Sequence, residues 1–159
     1  EKRRQRIKEK IELHREEQLK KVQIILDKLD LKGSDRLLDV GCGTGSYLNL
    51  FKCEVCGIDP SRELILQYKG QHTLTCQSAE KLSFPDNTFD VVMSITAIHN
   101  FNDIEKGLKE MLRVGKDRFV FSVLKRSSKY DLIEKLIRQL FIVDEVIEED
   151  KDYLFFCRK

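Results

Sequence analysis

The sequence contains no long apolar run: none of its stretches approaches the roughly 18 consecutive apolar residues that a membrane-spanning helix needs. It also lacks a recognisable secretory signal, internal repeats and low-complexity segments. Hydrophobic residues still make up 41% of the 159 residues, which excludes a disordered chain and suffices for a core. We therefore expect one folded unit of a cytoplasmic protein.

Neither sign of charge is in large excess, because the formal net charge is only +2, and this balance alone does not indicate a nucleic-acid partner. The distribution is less even, since residues 1–21 hold nine Lys or Arg against five Glu. Such a segment is either a basic helix that contacts phosphates or a solvated face with intrahelical pairs such as Glu17–Lys21. The sequence leaves both interpretations open, and solvated faces are the commoner case.

The five cysteines do not form a disulfide framework, because their number is odd and reduced thiols are the default in a cytoplasm. Cys53 and Cys56 have the spacing of a redox or zinc pair, but they lie in a predicted strand, where side chains three apart face opposite ways. The three histidines are scattered, so a second pair of metal ligands is missing. We predict no metal site.

Apolar periodicity predicts a leading helix over about 5–29, followed by alternating strands and helices. The last two strands are joined too briefly for a crossover and must be antiparallel. The pattern predicts an α/β fold with a doubly wound, Rossmann-like, mostly parallel seven-stranded sheet and an antiparallel terminal strand. The predicted strands are 36–40, 53–58, 72–76, 89–95, 119–124, 141–147 and 153–157, and the further helices are 46–51, 61–69, 103–113 and 128–140.

The leading helix is amphipathic, with apolar residues at helical spacing that is clearer in its second half. His14 and Gln18 interrupt the apolar stripe. We expect residues 1–30 to pack as a helix on a domain formed by residues 31–159.

A glycine-rich turn follows the first predicted strand. Gly41, Gly43 and Gly45 stand at alternate positions after Asp39, and alternate glycines allow a tight turn and close approach of a ligand to the backbone. Asp59 ends the next strand, where the nucleotide-binding α/β pattern has an acid for ribose hydroxyls. The alternatives are that Asp39 only caps the turn and that Asp59 only caps the helix after Pro60.

These residues carry a family resemblance. The segment Leu38–Gly45 closely resembles the first motif of class I S-adenosylmethionine-dependent methyltransferases, and Cys56–Ser61 resembles their second motif. The segment Gln77–Val92 is similar to their adenine-side loop and fourth strand. The resemblance covers roughly residues 35–125 and is closest to the small ubiquinone/menaquinone-type branch.

The resemblance implies S-adenosylmethionine as the cofactor, bound by residues 31–159. It implies that Asp59 accepts hydrogen bonds from the ribose hydroxyls and that residues 78–80 flank adenine, with Ser78 where the family usually has Asp. Asp39 would act on the ammonium end through water or backbone. The cofactor-binding residues implied are Asp39, Gly41, Cys42, Gly43, Thr44, Gly45, Asp59, Pro60, Ser78, Ala79, Glu80, Ser94 and Thr96.

The acceptor site should lie beyond the carboxyl end of the fourth strand. There Thr96, Ile98, His99 and Asn100 are expected to face donor and acceptor. His99 is the candidate general base, because imidazole titrates near neutrality; the alternative is a structural role in the loop. With no insertion after the fifth strand, the acceptor pocket must come from the leading helix, the loop 96–102 or another chain. The last of these sources would require a homodimer or a helper subunit.

A small-molecule acceptor is favoured, and three alternatives stay open. Residues 94–101 look like the corresponding loop of tRNA wobble-uridine methyltransferases, with Asn100 in place of a histidine, which makes RNA the second acceptor class. A non-catalytic, methyltransferase-like partner subunit is another alternative, but the presence of Asp39, the three glycines and Asp59 argues against it, because such a subunit need not retain a donor site. A nicotinamide dehydrogenase is disfavoured by the glycine spacing and by the lack of a Tyr-x-x-x-Lys motif.

Overall fold

The computed structural model describes all 159 residues and begins with one long helix, α1 (Lys2–Lys28). Residues 2–16 of α1 are exposed on every side. In the second half, Lys21, Val22 and Ile25 are buried. The buried contacts of α1 with the remainder of the chain therefore come from its second half, whereas the side chains of residues 2–16 remain exposed.

Seven strands form one sheet, and their order confirms the predicted fold class. From edge to edge the order is β3-β2-β1-β4-β5-β7-β6. Strand β7 runs antiparallel to both of its neighbours, whereas the other neighbouring pairs are parallel. The antiparallel strand of the terminal hairpin thus lies inside the sheet and not at its edge. The strands are β1 (Arg36–Val40), β2 (Glu54–Asp59), β3 (Thr73–Cys76), β4 (Phe89–Ile95), β5 (Gly115–Leu124), β6 (Ile142–Glu148) and β7 (Asp152–Arg158).

Two predicted helices are shorter than their sequence pattern indicated. The helix predicted over 46–51 is a single 3₁₀ turn at Leu48–Leu50. Side chains three apart eclipse in a 3₁₀ turn, and this brings Leu48 and Phe51 together into the core. The helix predicted over 61–69 is α2 (Arg62–Ile65). It ends early because Tyr68 turns back over the glycine turn, and its hydroxyl donates to Asn49 Oδ1 at 2.7 Å.

The remaining helices are α3 (Ile104–Val114) and α4 (Tyr130–Leu140). The Asp103 carboxylate caps α3 by accepting from Lys106 N at 3.1 Å. Strand β5 begins at Gly115, earlier than the predicted residue 119, because Gly115 is already extended and pairs with Phe89. The same glycine therefore ends a helix and begins a strand.

The core consists of two hydrophobic clusters, one on each face of the sheet. Alternate residues of a strand face opposite ways, so Leu37 joins the cluster that α1 covers and Leu38 joins the cluster that α3 and α4 cover. Cys53 packs against the first cluster and Cys56 against the second. These two thiols point to opposite sides, as the strand geometry predicted, and cannot share a ligand.

The strand order reverses between β1 and β4. In open α/β sheets, ligands bind beyond the carboxyl ends of the strands at such a reversal. The glycine turn follows β1 and the loop containing His99 follows β4, so the fold brings them together at this edge. No helix of the chain combines the length and the apolar character that crossing a membrane would require.

Candidate functional site

The glycine turn after β1 has the conformation that its spacing predicts. Gly41, Gly43 and Gly45 all have positive φ angles, of 83°, 55° and 65°. The amides of Gly41 and Cys42 both donate to the Ile58 carbonyl, at 2.8 and 2.9 Å, which ties the turn to the end of β2. A Cβ atom added at Gly43 would have no neighbour within 4 Å, so this part of the turn faces open space. The turn thus presents bare backbone to a cavity.

Gly41 is constrained more tightly than its neighbours. An added Cβ would lie 2.5 Å from Ala97 Cβ, in the loop after β4. We expect Gly41→Ala to destabilise the fold by about 1–2 kcal/mol from the left-handed backbone, with overpacking in addition. Urea unfolding measures this, with Gly33→Ala as the matched control, because an added Cβ there meets nothing closer than 4.0 Å. Equal midpoints for the two variants would contradict the assigned role of Gly41.

Asp59 holds the glycine turn and the start of α2 together. Its carboxylate accepts from Gly43 N at 3.0 Å and from Ser61 N at 2.8 Å, and the residue is only 9% exposed. The Ser61 hydroxyl, and not Asp59, caps α2 by accepting from Leu64 N. Each carboxylate oxygen keeps a further lone pair, and the side chain lines the cavity. Asp59 can therefore accept hydrogen bonds from a ligand as well as from the backbone.

Asp39 lies beneath the turn and does not line the cavity. Its carboxyl group is fully buried, accepts from the Tyr47 hydroxyl at 2.7 Å and has no partner for Oδ1. Burial, assisted by the Asp59 charge and opposed by the Tyr47 hydrogen bond, raises the pKa of Asp39 to about 7. Burial raises the pKa of Tyr47 as well. The predicted contact of Asp39 with a ligand could only be indirect.

This raised pKa predicts a dependence of stability on pH. The folded state holds the Asp39 proton more tightly than the unfolded chain does. The contribution of this proton to the free energy of unfolding is therefore fully present below about pH 4 and is lost as the pH rises to about 7. Asp39→Asn cannot ionise but still accepts from Tyr47. Relative to wild type, its free energy of unfolding should rise by up to about 1.4 kcal/mol per pH unit in that window. Urea unfolding at several pH values checks this, and parallel pH profiles would contradict it.

The loop after β3 is tied to α3. The Ser78 hydroxyl donates to the Glu80 carboxylate, whose other oxygen accepts from Asp103 N at 3.0 Å. Burial acts to raise the pKa of Glu80, but the hydrogen bonds outweigh this effect, so the pKa of Glu80 lies below its usual value. Ala79 is buried between them and packs towards Gly107. The loop therefore offers an apolar surface flanked by hydrogen-bond acceptors.

A buried polar network fastens α1 to the sheet at the carboxyl end of β4. Thr96 Oγ1 donates to Asp152 Oδ2 at 2.6 Å and accepts from Lys21 Nζ at 2.9 Å. The Ser122 hydroxyl also donates to Asp152 Oδ2, and Lys21 Nζ lies 3.2 Å from Asp152 Oδ1. Lys21 and Asp152 are 3% and 0% exposed. The two hydroxyl protons and the ammonium group together compensate this buried carboxylate.

Thr96 has a strained backbone at the centre of this network. Its φ angle is +51°, which is rare for a β-branched residue. Its amide donates to the Ser122 carbonyl at 3.0 Å, so backbone and side chain are both held by the surrounding network. Such strain commonly marks functional loops. Ser94, two residues earlier, donates to the Val40 carbonyl and stays in the core, so it holds β4 to β1 without reaching the cavity.

His99 follows β4 in a 3₁₀ turn (Ile98–Asn100) and lines the cavity. Burial, reinforced by the Lys129 charge and opposed by Asp152, lowers the pKa of His99. The imidazole is therefore neutral at pH 7 and can accept a proton. Lys129 Nζ donates to the His99 carbonyl at 3.1 Å, which positions the loop independently of the imidazole. Ile98 was expected to face the ligands, but its side chain is buried in the core.

Most of these residues line a single cavity of about 840 Å³. Asn100 lines it as expected, but Asp39, Gly45 and Ser94 do not. Burial of the Cys42 thiol raises its pKa, so it remains protonated at the cavity wall. Of the residues predicted to bind cofactor or to catalyse, those lining the cavity are Gly41, Cys42, Gly43, Thr44, Asp59, Pro60, Ser78, Ala79, Glu80, Thr96 and His99.

The opposite wall of the cavity comes from residues that were not predicted individually. The leading helix and the loop 96–102 were named as sources of the pocket, and both supply residues. The sequence did not reveal the contribution of the segments after β5 and before β7. The additional side chains at this wall are Ile11, His14, Arg15, Glu17, Gln18, Lys21, Leu124, Arg126 and Lys151.

The chain resembles known methyltransferases. The family model described as a methyltransferase domain matches residues 38–121, more than half of the chain. A demethylmenaquinone methyltransferase of Symbiobacterium thermophilum is 34% identical over 111 residues, covering 60% of this chain and 44% of the relative. A probable tRNA methyltransferase 9B of Mus musculus is 36% identical over 94 residues, covering 54% of this chain and 20% of the relative. The chain thus spans half or less of the length of these curated relatives.

The fold also resembles that of known methyltransferases. A crystal structure of an S-adenosylmethionine-dependent methyltransferase from Aquifex aeolicus superposes with a TM-score of 0.71 and 20% sequence identity, covering 86% of this chain and 88% of that one. The chain therefore belongs to the methyltransferase domain family, and its sheet has the class I architecture of S-adenosylmethionine-dependent methyltransferases.

Proposed function

We propose that this chain is an S-adenosylmethionine-dependent methyltransferase that acts on a small-molecule acceptor. One observation carries the proposal: two left-handed glycines, Gly41 and Gly43, and the buried carboxylate of Asp59 line the same cavity as His99 and α1. Beyond the carboxyl ends of β1, β2 and β3, the cavity has no basic side chain and contains the carboxylates of Asp59 and Glu80. This fits a ligand that carries positive charge and no phosphate, and it does not fit the pyrophosphate of a dinucleotide.

The residues present allow a division of roles in donor binding. Gly41 and Gly43 let the methionyl and ribose parts lie against backbone. Asp59 accepts from the ribose hydroxyls, and adenine packs on Ala79 with hydrogen-bond acceptors at its rim. S-Adenosylmethionine supplies an activated methyl group when it is bound, so positioning and exclusion of water are what the protein must contribute.

His99 serves as general base where the acceptor loses a proton during transfer. Its lowered pKa keeps the imidazole unprotonated at pH 7, which is the state that a base requires. Helix α1 covers the acceptor side and excludes water from it. Lys21 and Thr96 hold α1 in that position and act as positioning residues.

RNA is the second candidate acceptor, because one feature favours it. Exposed residues 2–16 of α1 carry seven Lys or Arg against three Glu, a basic face that suits phosphates. The relative named as a probable tRNA methyltransferase also agrees with this candidate. A homodimer or a helper subunit is compatible with both acceptors.

Donor binding tests the role of Asp59 directly. We expect Asp59→Ala to weaken S-adenosylmethionine binding by about 1–3 kcal/mol, because hydrogen bonds to a charged group are lost. Isothermal titration calorimetry measures the affinity. Asp90→Ala is a matched control, since Asp90 accepts from Arg36 N and Lys116 at the opposite end of β4. An unchanged affinity in Asp59→Ala would refute the assigned role.

A further inference from the structure

The cavity has two electrostatically different halves. The half beyond β1, β2 and β3 contains Asp59 and Glu80. The half beyond β4, β5 and the start of β7 contains every lysine and arginine of the lining, which are Arg15, Lys21, Arg126 and Lys151. If the first half binds the donor, as proposed above, the second half binds the acceptor.

Two of these four cations are already neutralised within the protein. Lys21 pairs with Asp152 at 3.2 Å, and Lys151 pairs with Glu17 at 2.6 Å. Arg15 and Arg126 make no ion pair and no side-chain hydrogen bond. The acceptor half therefore presents two guanidinium groups whose charge the protein leaves unbalanced.

The inward-facing stripe of α1 changes from apolar to polar residues at this cavity. Val22 and Ile25 of this stripe are buried, whereas Gln18 and His14, which continue it at helical spacing, line the cavity. Gln18 Oε1 accepts from Lys21 Nζ at 3.2 Å, which leaves the Gln18 amide N–H groups free. A polar residue on the inward stripe of a helix is costly against an apolar core and suits a polar ligand.

The unpaired groups of this wall are mainly hydrogen-bond donors. Arg15 and Arg126 provide guanidinium N–H groups, and Gln18 provides amide N–H groups. Guanidinium groups bind carboxylate and phosphate through paired hydrogen bonds. We propose that the acceptor is a small molecule that carries an oxyanion, a carboxylate or a phosphate, held by Arg15 and Arg126 with Gln18 beside them. This inference rests on the methyltransferase function proposed above.

The positions of the basic residues favour a small molecule over RNA, although Arg15 and Arg126 are themselves exposed at the rim of the cavity. Two ion pairs, Lys21–Asp152 and Glu17–Lys151, fasten α1 to the start of β7 across this half. Residues 2–10 of α1, which carry six Lys or Arg, do not line the cavity and are exposed on every side. An RNA acceptor would use that exposed face, whereas a small oxyanion would need only the two arginines of the cavity.

The test is an NMR titration of the arginine Nε–Hε resonances in the whole chain saturated with S-adenosylhomocysteine. Arg15→Gln and Arg126→Gln assign the two resonances. The probes are malonate for a carboxylate and inorganic phosphate for a phosphate, with chloride as the ionic-strength control. We expect saturable shifts of both resonances with one of the probes and not with chloride. The affinity for that probe should fall roughly 10–100-fold in either variant, because charge-assisted hydrogen bonds are lost.

Three outcomes would overturn the inference. Shifts that do not saturate, or that affect all arginines equally, would show only general ionic attraction. Binding of transfer RNA that displaces the probe and is lost in the triple variant R3Q/R4Q/R6Q would identify RNA as the acceptor; the triple variant is otherwise expected to bind the probe normally. Retained S-adenosylhomocysteine binding with no oxyanion binding would refute this inference alone, whereas failure to bind S-adenosylhomocysteine would refute the proposed function.

Discussion

Lys21→Met is expected to lower the free energy of unfolding by about 3–5 kcal/mol, because it leaves the carboxylate of Asp152 buried without a countercharge. Asp152 is 0% exposed, and Lys21 is its only cationic partner. The hydroxyls of Thr96 and Ser122 would still donate to it, but they carry no charge. Urea unfolding at neutral pH measures the loss.

Two further variants separate the ion pair from other effects. Lys21→Met combined with Asp152→Asn removes both charges and keeps an oxygen for the two hydroxyls, so most of the stability should return. Lys20→Met is the matched control, because Lys20 is exposed on the same helix, and it should change stability by no more than about 0.5 kcal/mol. If Lys21→Met were as stable as Lys20→Met, the pair would not fasten α1 to the sheet.

His99→Ala is expected to reduce the rate of methyl transfer by about 100-fold or more, because general-base catalysis contributes on that scale. Affinity for S-adenosylmethionine should not change. In wild type the rate should rise with pH through the lowered pKa of His99 and become level above it, since only the neutral imidazole accepts a proton. The variant should lack this rise.

This substitution distinguishes a base from a structural histidine. The bond from Lys129 goes to the His99 carbonyl, so the loop keeps that contact when the imidazole is removed. His72→Ala is the control, because His72 does not line this cavity. Rates are compared with labelled S-adenosylmethionine and an ultrafiltered metabolite extract as the source of acceptor. A rate within a few-fold of wild type, with an unchanged pH profile, would leave His99 a structural role only.

The conformation of the glycine turn and the position of Asp59 could be predicted from sequence because their requirements are local. Glycine adopts positive φ angles without strain, so alternate glycines after a strand indicate a tight turn, and all three have positive φ angles. Asp59 ends a buried strand next to that turn, so its position follows from the fold once the parallel sheet is recognised. The extent of α2 was misjudged because Tyr68 leaves the helix to cover Gly45, a tertiary contact that outweighs local preference.

The wall of the cavity that α1 and the start of β7 form could not be predicted in the same way, because its contacts join opposite ends of the chain. The sequence pattern indicated a pair between Glu17 and Lys21 within α1. In the structure, Glu17 instead pairs with Lys151 and Lys21 with Asp152. Periodicity shows which positions of a helix face inward but not what they meet there. His14 and Gln18 were the available signal, since two polar residues stand on an otherwise apolar stripe.

The decisive measurement is a crystal structure of the chain with bound S-adenosylmethionine. We expect electron density in the cavity, with adenine on Ala79, ribose hydroxyls on Asp59, and the methyl group directed towards His99 and the half covered by α1. Density for the ligand elsewhere, or a methyl group directed away from His99 and α1, would contradict it.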